Sequence, residues 1–193
     1  MDWRDKTIGF AMCGSFCTFS RAVETLKTLS ETGANVIPIM SGISYSTDTR
    51  FGTAEHFRSC LEDITGNEII HTVKQAEPIG PKCMLDMLVV LPCTGNSLAK
   101  IANGIADTSV TMAVKAHLRN QRPLLLAVST NDGLGTAAKN IGTLLNCKNV
   151  YFLPFSQDDY IKKPCSLVAD FEKLTETAEA AFEGRQLQPI LGF

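Results

Sequence analysis

Apolar residues occur along the chain in two patterns, as short continuous runs and as segments spaced by three and four residues. The short runs predict buried β-strands at residues 7–12, 34–40, 84–91, 124–128 and 150–153, with a weaker strand at 68–73. The spaced segments predict helices at residues 19–32, 52–64, 97–105, 109–119, 136–145 and 167–182. Strands that alternate with helices are typical of a parallel sheet covered on both faces. The pattern therefore predicts an α/β fold of three layers with a doubly wound parallel sheet.

Loops and chain ends complete this prediction. Residues 75–82 contain two prolines and a glycine and are expected to form a loop, and Pro92 is expected to stop the strand before it. No linker or internal repeat divides residues 1–193, so we predict one domain with residues 184–193 as a C-terminal tail. This apolar tail packs either on its own domain or on a partner subunit, and we favour the partner.

Composition and charge exclude several classes of protein. The 193 residues are 45% hydrophobic, which is enough for a core without disulfides. Eighteen Lys and Arg against twenty Asp and Glu give a net charge of -2, which argues against a nucleic-acid binder that works by neutralising phosphates. No apolar run approaches the roughly 20 residues that span a bilayer, and the N-terminus is unlike a secretory signal. We expect a cytoplasmic protein without a membrane partner.

The seven cysteines are scattered along the chain. The one close pair, Cys13 and Cys17, has no second pair or histidine pair to complete a zinc site, so we predict no metal. Reduced, mostly buried thiols are the favoured interpretation. Because Cys13, Cys17 and Cys93 fall in loops that follow strands, a functional role for one of them stays open.

The loops after the predicted strands are rich in Gly, Ser, Thr and Asn. In doubly wound sheets, ligands bind beyond the carboxyl ends of the strands, where these loops lie. Gly14 and Ser15 stand between a strand and a helix, where backbone N–H groups and a hydroxyl can hold a phosphate, although any tight turn favours the same residues. Ser41 adds a hydroxyl at the next strand end, with a turn or helix cap as its alternative role. The dinucleotide motif G-x-G-x-x-G is absent.

The loop at residues 92–97 reads Pro-Cys-Thr-Gly-Asn-Ser and is followed by Lys100-Ile101-Ala102, Gly104 and Asp107. This motif resembles that of the flavin-dependent cysteine decarboxylase-like flavoproteins, in which Pro-Ala-Ser-Ala-Asn-Thr precedes Leu-x-Lys-Ile-Ala-x-Gly and Asp. The resemblance covers residues 7–170 and implies a flavodoxin-like, Rossmann-like flavoprotein fold that binds FMN. The cofactor-binding residues it implies are Gly14, Ser15, Phe16, Ser41, Thr94, Asn96, Ser97, Ser129, Thr130 and Asn131. Asn96 is also the catalytic candidate, with capping of the following helix as its structural alternative.

One departure from that superfamily concerns its chemistry. The decarboxylases carry a catalytic histidine before the strand that leads to the asparagine motif, and a gapless count places Pro78 there. His71 lies seven residues earlier and would need an insertion to take that role. Decarboxylation needs a positioned base as well as flavin, so the sequence argues against it.

Segments 10–18, 76–82 and 91–96 are similar to one branch of the superfamily. Members of that branch belong to a two-subunit oxidoreductase of sporulating bacteria, which oxidises dihydrodipicolinate to dipicolinate. The resemblance implies a separate Rossmann-type subunit that binds NADP, a small dicarboxylate substrate and a homo-oligomer. Lys82, Arg50 and Lys100 are candidates for the cation that a diacid requires, with a surface role as the alternative. An independent FMN-dependent decarboxylase and a non-catalytic structural partner remain the alternative functions.

Overall fold

Five parallel strands form the centre of the molecule in a computed structural model that describes residues 1–192. They are β1 (Thr7–Met12), β2 (Asn35–Met40), β3 (Met87–Cys93), β4 (Leu124–Thr130) and β5 (Val150–Phe152). Their order across the sheet is β2-β1-β3-β4-β5, which is the flavodoxin-like doubly wound order. The predicted α/β fold with a parallel sheet is confirmed.

Helices fill the connections between the strands. They are α1 (Phe19–Glu31), α2 (Gly42–Ser46), α3 (Ala54–Thr65), α4 (Val73–Ala76), α5 (Gly95–Ala102), α6 (Ser109–Leu118), α7 (Ala138–Leu145) and α8 (Leu174–Phe182). Short 3₁₀ turns occupy Phe16–Thr18, Glu77–Ile79 and Phe171–Lys173. Helices α1, α3, α6 and α7 lie within the residues predicted for them, apart from one extra residue at the end of α3, whereas α5 begins and ends earlier than the predicted 97–105.

The central strands are buried on both faces. Every residue of β3 is buried, and so is every residue of β4 except Thr130. Such strands are continuous apolar runs because helices cover both sides of the sheet. Packing is close at Gly9, where an added Cβ would stand 2.6 Å from a methyl carbon of Leu85. The polar groups that bind ligands therefore have to lie at the strand ends.

Pro92 does not stop the third strand, contrary to the expectation from the sequence. It lies inside β3, after a cis Leu91–Pro92 peptide bond, at the point where the pairing with β4 shifts register between Val90 and Cys93. A proline nitrogen has no proton to donate, so this irregularity is where the sheet accommodates it. The Pro92 carbonyl still accepts a hydrogen bond from Cys13 N at 3.2 Å.

Three other local predictions were wrong between residues 41 and 82. Residues 68–73 contribute one bridge, between Ile39 and Ile70, instead of a strand. The short helix α4, capped by Thr72, starts at the end of that segment and runs into the predicted loop at 75–82. Residues 42–46 form α2, where a loop was predicted. Single turns of helix of this kind are set by capping hydroxyls, and they are too short to produce a periodic apolar pattern.

The C-terminal part also differs from the prediction. Residues 167–182 are divided into a strand, β7 (Leu167–Ala169), a 3₁₀ turn and α8, and β7 pairs antiparallel with the end of β4 and with a further strand, β6 (Phe155–Ser156). The tail lies along its own domain over residues 184–192. Gln186 bonds both backbone groups of Phe152, and Leu191 bridges to Phe155. Residue 193 of the predicted tail lies outside the described residues.

His117 on α6 is fully buried and holds the start of β4. One ring nitrogen, Nε2, lies 2.9 Å from the Pro123 carbonyl, which can only accept, so Nε2 carries the proton. The other nitrogen, Nδ1, is buried without a hydrogen-bond partner in residues 1–192. Burial lowers the pKa of His117 from its ordinary value of 6.5, with a further contribution from Arg122. The fold therefore favours the neutral ring.

We expect the free energy of unfolding to fall as the pH drops below about 6.5, because the unfolded chain then takes up a proton that folded His117 resists. The slope from this group is at most about 1.4 kcal/mol per pH unit. Urea unfolding between pH 8 and pH 5 measures it. His117→Gln is the matched control, since its amide can still donate to Pro123, and it should flatten the slope. An equal slope in both proteins would contradict the assignment.

Candidate functional site

A cavity of about 590 Å³ opens at the carboxyl ends of β1, β2 and β3. Ligand pockets for small molecules are commonly of about 300–1,000 Å³. The lining residues come from the loops after these strands and from the starts of α2, α4, α5 and α6, and they are Gly14, Ser41, Gly42, Ile43, His71, Val73, Thr94, Asn96, Ser97, Asp107, Thr108 and Ser109. The predicted residues Gly14, Ser41, Thr94, Asn96 and Ser97 are therefore brought together in the lining of one cavity.

The loops after β1 and β2 meet at the cavity. Gly14 approaches Ile43 so closely that an added Cβ would lie 3.3 Å from its side chain. Ser41 caps α2, and its hydroxyl bonds that of Ser44 at 2.7 Å. Both roles weighed for Ser41 are compatible, because a hydroxyl that caps a helix can also face a ligand.

The start of α5 forms the next part of the wall. Thr94 is the N-cap, and its hydroxyl accepts a hydrogen bond from Ser97 N at 3.3 Å. Asn96, in the first turn of the helix, lines the cavity, and its side chain bonds no other group in residues 1–192. The capping role considered for Asn96 thus belongs to Thr94, and the Asn96 amide faces the cavity.

The start of α6 supplies residues that sequence reasoning did not select. Thr108 and Thr111 form a capping box, and the buried Ser109 hydroxyl donates to the Met40 carbonyl at 2.6 Å, which ties α6 to the end of β2. Asp107 accepts two bonds from Lys100 Nζ at 2.8 and 2.9 Å, and this ion pair lowers the pKa of Asp107. Lys100 and Asp107 both belong to the motif that follows residues 92–97, and this was the sequence signal that the turn between α5 and α6 is part of the site.

His71 also lines the cavity, although the gapless count pointed to Pro78. Pro78 lies in the 3₁₀ turn after α4 and is not part of the lining. The His71 ring stacks on Tyr45 with the centroids 3.9 Å apart and the planes 7° from parallel. Sequence reasoning had no signal for this pair, because 26 positions separate the two residues and the contact is made only by the fold.

Other predicted residues lie beside the lining. Ser15, in the loop after β1, contacts Ser129 near the end of β4 through a hydroxyl–hydroxyl contact of 2.8 Å. Thr130 donates to Asp132, and an added Cβ at Gly95 would stand 2.7 Å from the Thr130 hydroxyl. Ser15, Ser129 and Thr130 thus support the loops that shape the cavity. Two further predicted residues, the partly buried Phe16 and the exposed Asn131, are likewise outside the lining.

A sequence profile described as Flavoprotein matches residues 2–176. The chain belongs to the Flavoprotein family. It is 45% identical over 188 residues to the B subunit of dipicolinate synthase from Bacillus subtilis, an alignment that covers 97% of this chain and 94% of that protein.

Solved structures of similar proteins agree with this assignment. The B subunit of dipicolinate synthase from Bacillus halodurans superposes with a TM-score of 0.92 at 43% identity, covering 100% of this chain and 99% of the other. The FMN-dependent cysteine decarboxylase SpaF superposes with a TM-score of 0.67 at 20% identity, over 94% of this chain and 98% of its own. The second likeness concerns the fold alone. The predicted resemblance, to a Flavoprotein of the dipicolinate synthase branch, is confirmed.

The cations proposed for a diacid do not line the cavity of this Flavoprotein. Lys82 and Arg50 are exposed and outside the lining, and Lys100 is held by Asp107. His71 and Asp107 are the titratable residues of the lining. Besides the apolar Ile43 and Val73, the side chains of the lining are mainly hydroxyl-bearing.

The cysteines near the site differ in environment. Cys13 and Cys93 are buried, and burial raises the pKa of Cys13 to about 11 and that of Cys93 well above its ordinary range. Thiols of this kind stay protonated and unreactive at neutral pH. Cys17 is exposed and lies 4.0 Å from the Ser15 hydroxyl.

Metal-binding clusters and membrane-spanning helices are absent from the described part of the chain. Within residues 1–192, no group of three or more His, Cys, Asp or Glu side chains is placed to hold a metal ion. No helix in the same range has the length and apolar character needed to cross a membrane.

We expect Thr94→Ala to lower the free energy of unfolding by about 1 kcal/mol, because it removes the cap of α5. Asn96→Ala should change it by less than about 0.5 kcal/mol, since that side chain makes no bond within residues 1–192. Urea unfolding of the two variants and the wild type measures both effects. A larger loss in Asn96→Ala than in Thr94→Ala would show that Asn96 is the structural residue.

Proposed function

We propose that this chain is the flavin-binding subunit of a dipicolinate synthase, which oxidises dihydrodipicolinate to dipicolinate together with an NADP-binding partner during sporulation. The observation that carries the proposal is the 45% identity to the B subunit of the Bacillus subtilis enzyme over almost the full length of both proteins. The coverage matters because it includes every loop that builds the cavity. We expect the enzyme to act in the cytoplasm.

The proposed cofactor is FMN. Flavoprotein membership supports a flavin, and the cavity offers a volume of about 590 Å³ with hydroxyl groups on several sides. Gly14 and Ser41 would hold the phosphate, with the predicted Ser15 and Phe16 in the loop beside them, while Thr94, Asn96 and Ser97 would line the flavin or the substrate. Ser129, Thr130 and Asn131 would complete the rim. When bound, a flavin supplies hydride-transfer chemistry.

The chain's own residues would bind and orient the reactants. The Asn96 amide, which has no partner within residues 1–192, can donate to a carboxylate or a flavin oxygen and accept from an N–H group. The Lys100–Asp107 ion pair fixes the turn between α5 and α6, so that Thr108 and Ser109 keep their places in the wall. Asn96 is thus our catalytic candidate, and the Lys100–Asp107 ion pair stabilises the part of the lining beside it.

The proposed partner is the A subunit of dipicolinate synthase. The loop after β1 lacks the G-x-G-x-x-G spacing of dinucleotide-binding domains, which is consistent with NADP bound on the partner. Ile43 and Val73 line the cavity and are 60% and 37% exposed, which supports a homo-oligomer whose subunit contacts cover the cavity mouth. Of the alternatives, an independent decarboxylase and a structural partner without flavin are both decided by experiment, because His71 lines the cavity although Pro78 does not.

We expect Ser41→Ala to weaken FMN binding about tenfold or more, because a hydrogen bond to a charged phosphate contributes about 1.5–3 kcal/mol. Ser46→Ala is the matched control, since this exposed serine follows on the same helix, donates to the Gly42 carbonyl at 2.9 Å and does not line the cavity. Quenching of flavin fluorescence on titration with each protein measures the affinity. Equal FMN affinities for the two variants would show that Ser41 does not bind the phosphate.

The proposed function itself is tested by expressing the chain alone and with its NADP-binding partner. We expect visible flavin absorbance in the purified chain and NADP-linked formation of dipicolinate only when both subunits are present. A colourless chain that still supports dipicolinate formation by its partner would indicate a structural role without flavin. Decarboxylation of a cysteinyl substrate would overturn the proposal in favour of the decarboxylase.

A further inference from the structure

His71 presents one free ring nitrogen to the cavity. Its Nδ1 lies 3.2 Å from the Ile69 carbonyl oxygen, which can only accept a hydrogen bond, so Nδ1 carries a proton whether the ring is neutral or charged. Its Nε2 has no hydrogen-bond partner within residues 1–192. The neutral ring therefore offers a lone pair to the cavity, and the charged ring offers an N–H donor.

The surroundings hold the His71 ring in this orientation. One contact is the parallel stacking on Tyr45 described above, and Arg58 fixes Tyr45 in turn by donating to its carbonyl at 2.7 Å. The His71 backbone N–H donates to the side chain of Gln75 at 3.1 Å, within the cap of α4. A ring fixed in advance loses little rotational freedom when it binds a ligand.

The other charged side chains around His71 are paired with one another, so His71 is the residue of the lining that can supply a positive charge. Arg58 lies over the Tyr45 ring and is paired with Glu55, and Asp107 across the lining is paired with Lys100. Among the described residues, the lining contains no lysine or arginine. A carboxylate or phosphate in the cavity would therefore gain its charged hydrogen bond from a protonated His71.

We infer that His71 binds an anionic group of the ligand, a carboxylate or a phosphate, through Nε2–H, and that the site takes up a proton as the ligand binds. The choice of probes rests on the proposed function, in which the site takes dipicolinate and FMN. Binding should strengthen as the pH is lowered from about 8 to 6, by at most about tenfold per pH unit.

Calorimetric titration in two buffers of different ionisation enthalpy measures the proton uptake. The probes are dipicolinate, FMN and riboflavin, because riboflavin lacks the phosphate. Uptake with dipicolinate assigns a carboxylate to His71, and uptake with FMN but not riboflavin assigns the phosphate. We expect uptake of up to one proton per site in the wild type, its loss in His71→Gln, and its retention in His56→Gln, which changes an exposed histidine of α3 in the same way.

A second measurement does not depend on a variant that folds. The chain contains three histidines, so their Cε1 proton resonances can be followed individually in the wild type. Adding dipicolinate or FMN should shift the His71 resonance, whereas that of His56 should stay in place. Binding without proton uptake, uptake that persists in His71→Gln, or no binding of any probe would overturn the inference. Proton uptake by a chain that supports no turnover would instead overturn the proposed function and leave the inference standing.

Discussion

The burial of the central strands on both faces is the constraint from which the rest of this structure follows. Because helices cover β3 and β4 on each side, no side chain of these strands can serve a ligand from the middle of the sheet. Polar chemistry is confined to the strand ends, where the backbone leaves the sheet. The reversal of strand order beside β1 then opens a space between the loops at that edge. The cavity is a consequence of the sheet order.

Hydroxyl side chains shape that space by capping the helices that begin around it. Ser41 caps α2, Thr94 caps α5 and Thr108 caps α6, and all three line the cavity. A cap satisfies backbone N–H groups that would otherwise lack partners, so these residues are needed for the fold before any ligand arrives. The same residue types suit a phosphorylated ligand, which explains why structural and functional interpretations of such loops coincide.

The cavity lining carries few charged side chains, unlike anion-binding sites that are lined by several lysines or arginines. The Lys100–Asp107 pair neutralises itself within the turn between α5 and α6, and the remaining ionisable group of the lining is His71. A wall of hydroxyl and amide groups binds a ligand by shape and hydrogen bonds, with a charge supplied only when a proton is taken up. Proteins with this fold include a cysteine decarboxylase, so the fold leaves the chemistry to the loops.

The sequence by itself determined the fold class, the main strands and long helices, and the loops that gather at the site, because apolar runs and the motif at residues 92–97 are local signals. It did not determine how Pro92 fits inside β3, since that depends on the irregular pairing with β4. Only the tertiary structure decided that His71 faces the cavity, because its partner Tyr45 lies on a different element. Likewise, only the structure left Asn96 available to a ligand, because there Thr94 caps α5. Such contacts depend on packing between residues that are far apart in the sequence, so the spacing of residues along the chain does not predict them.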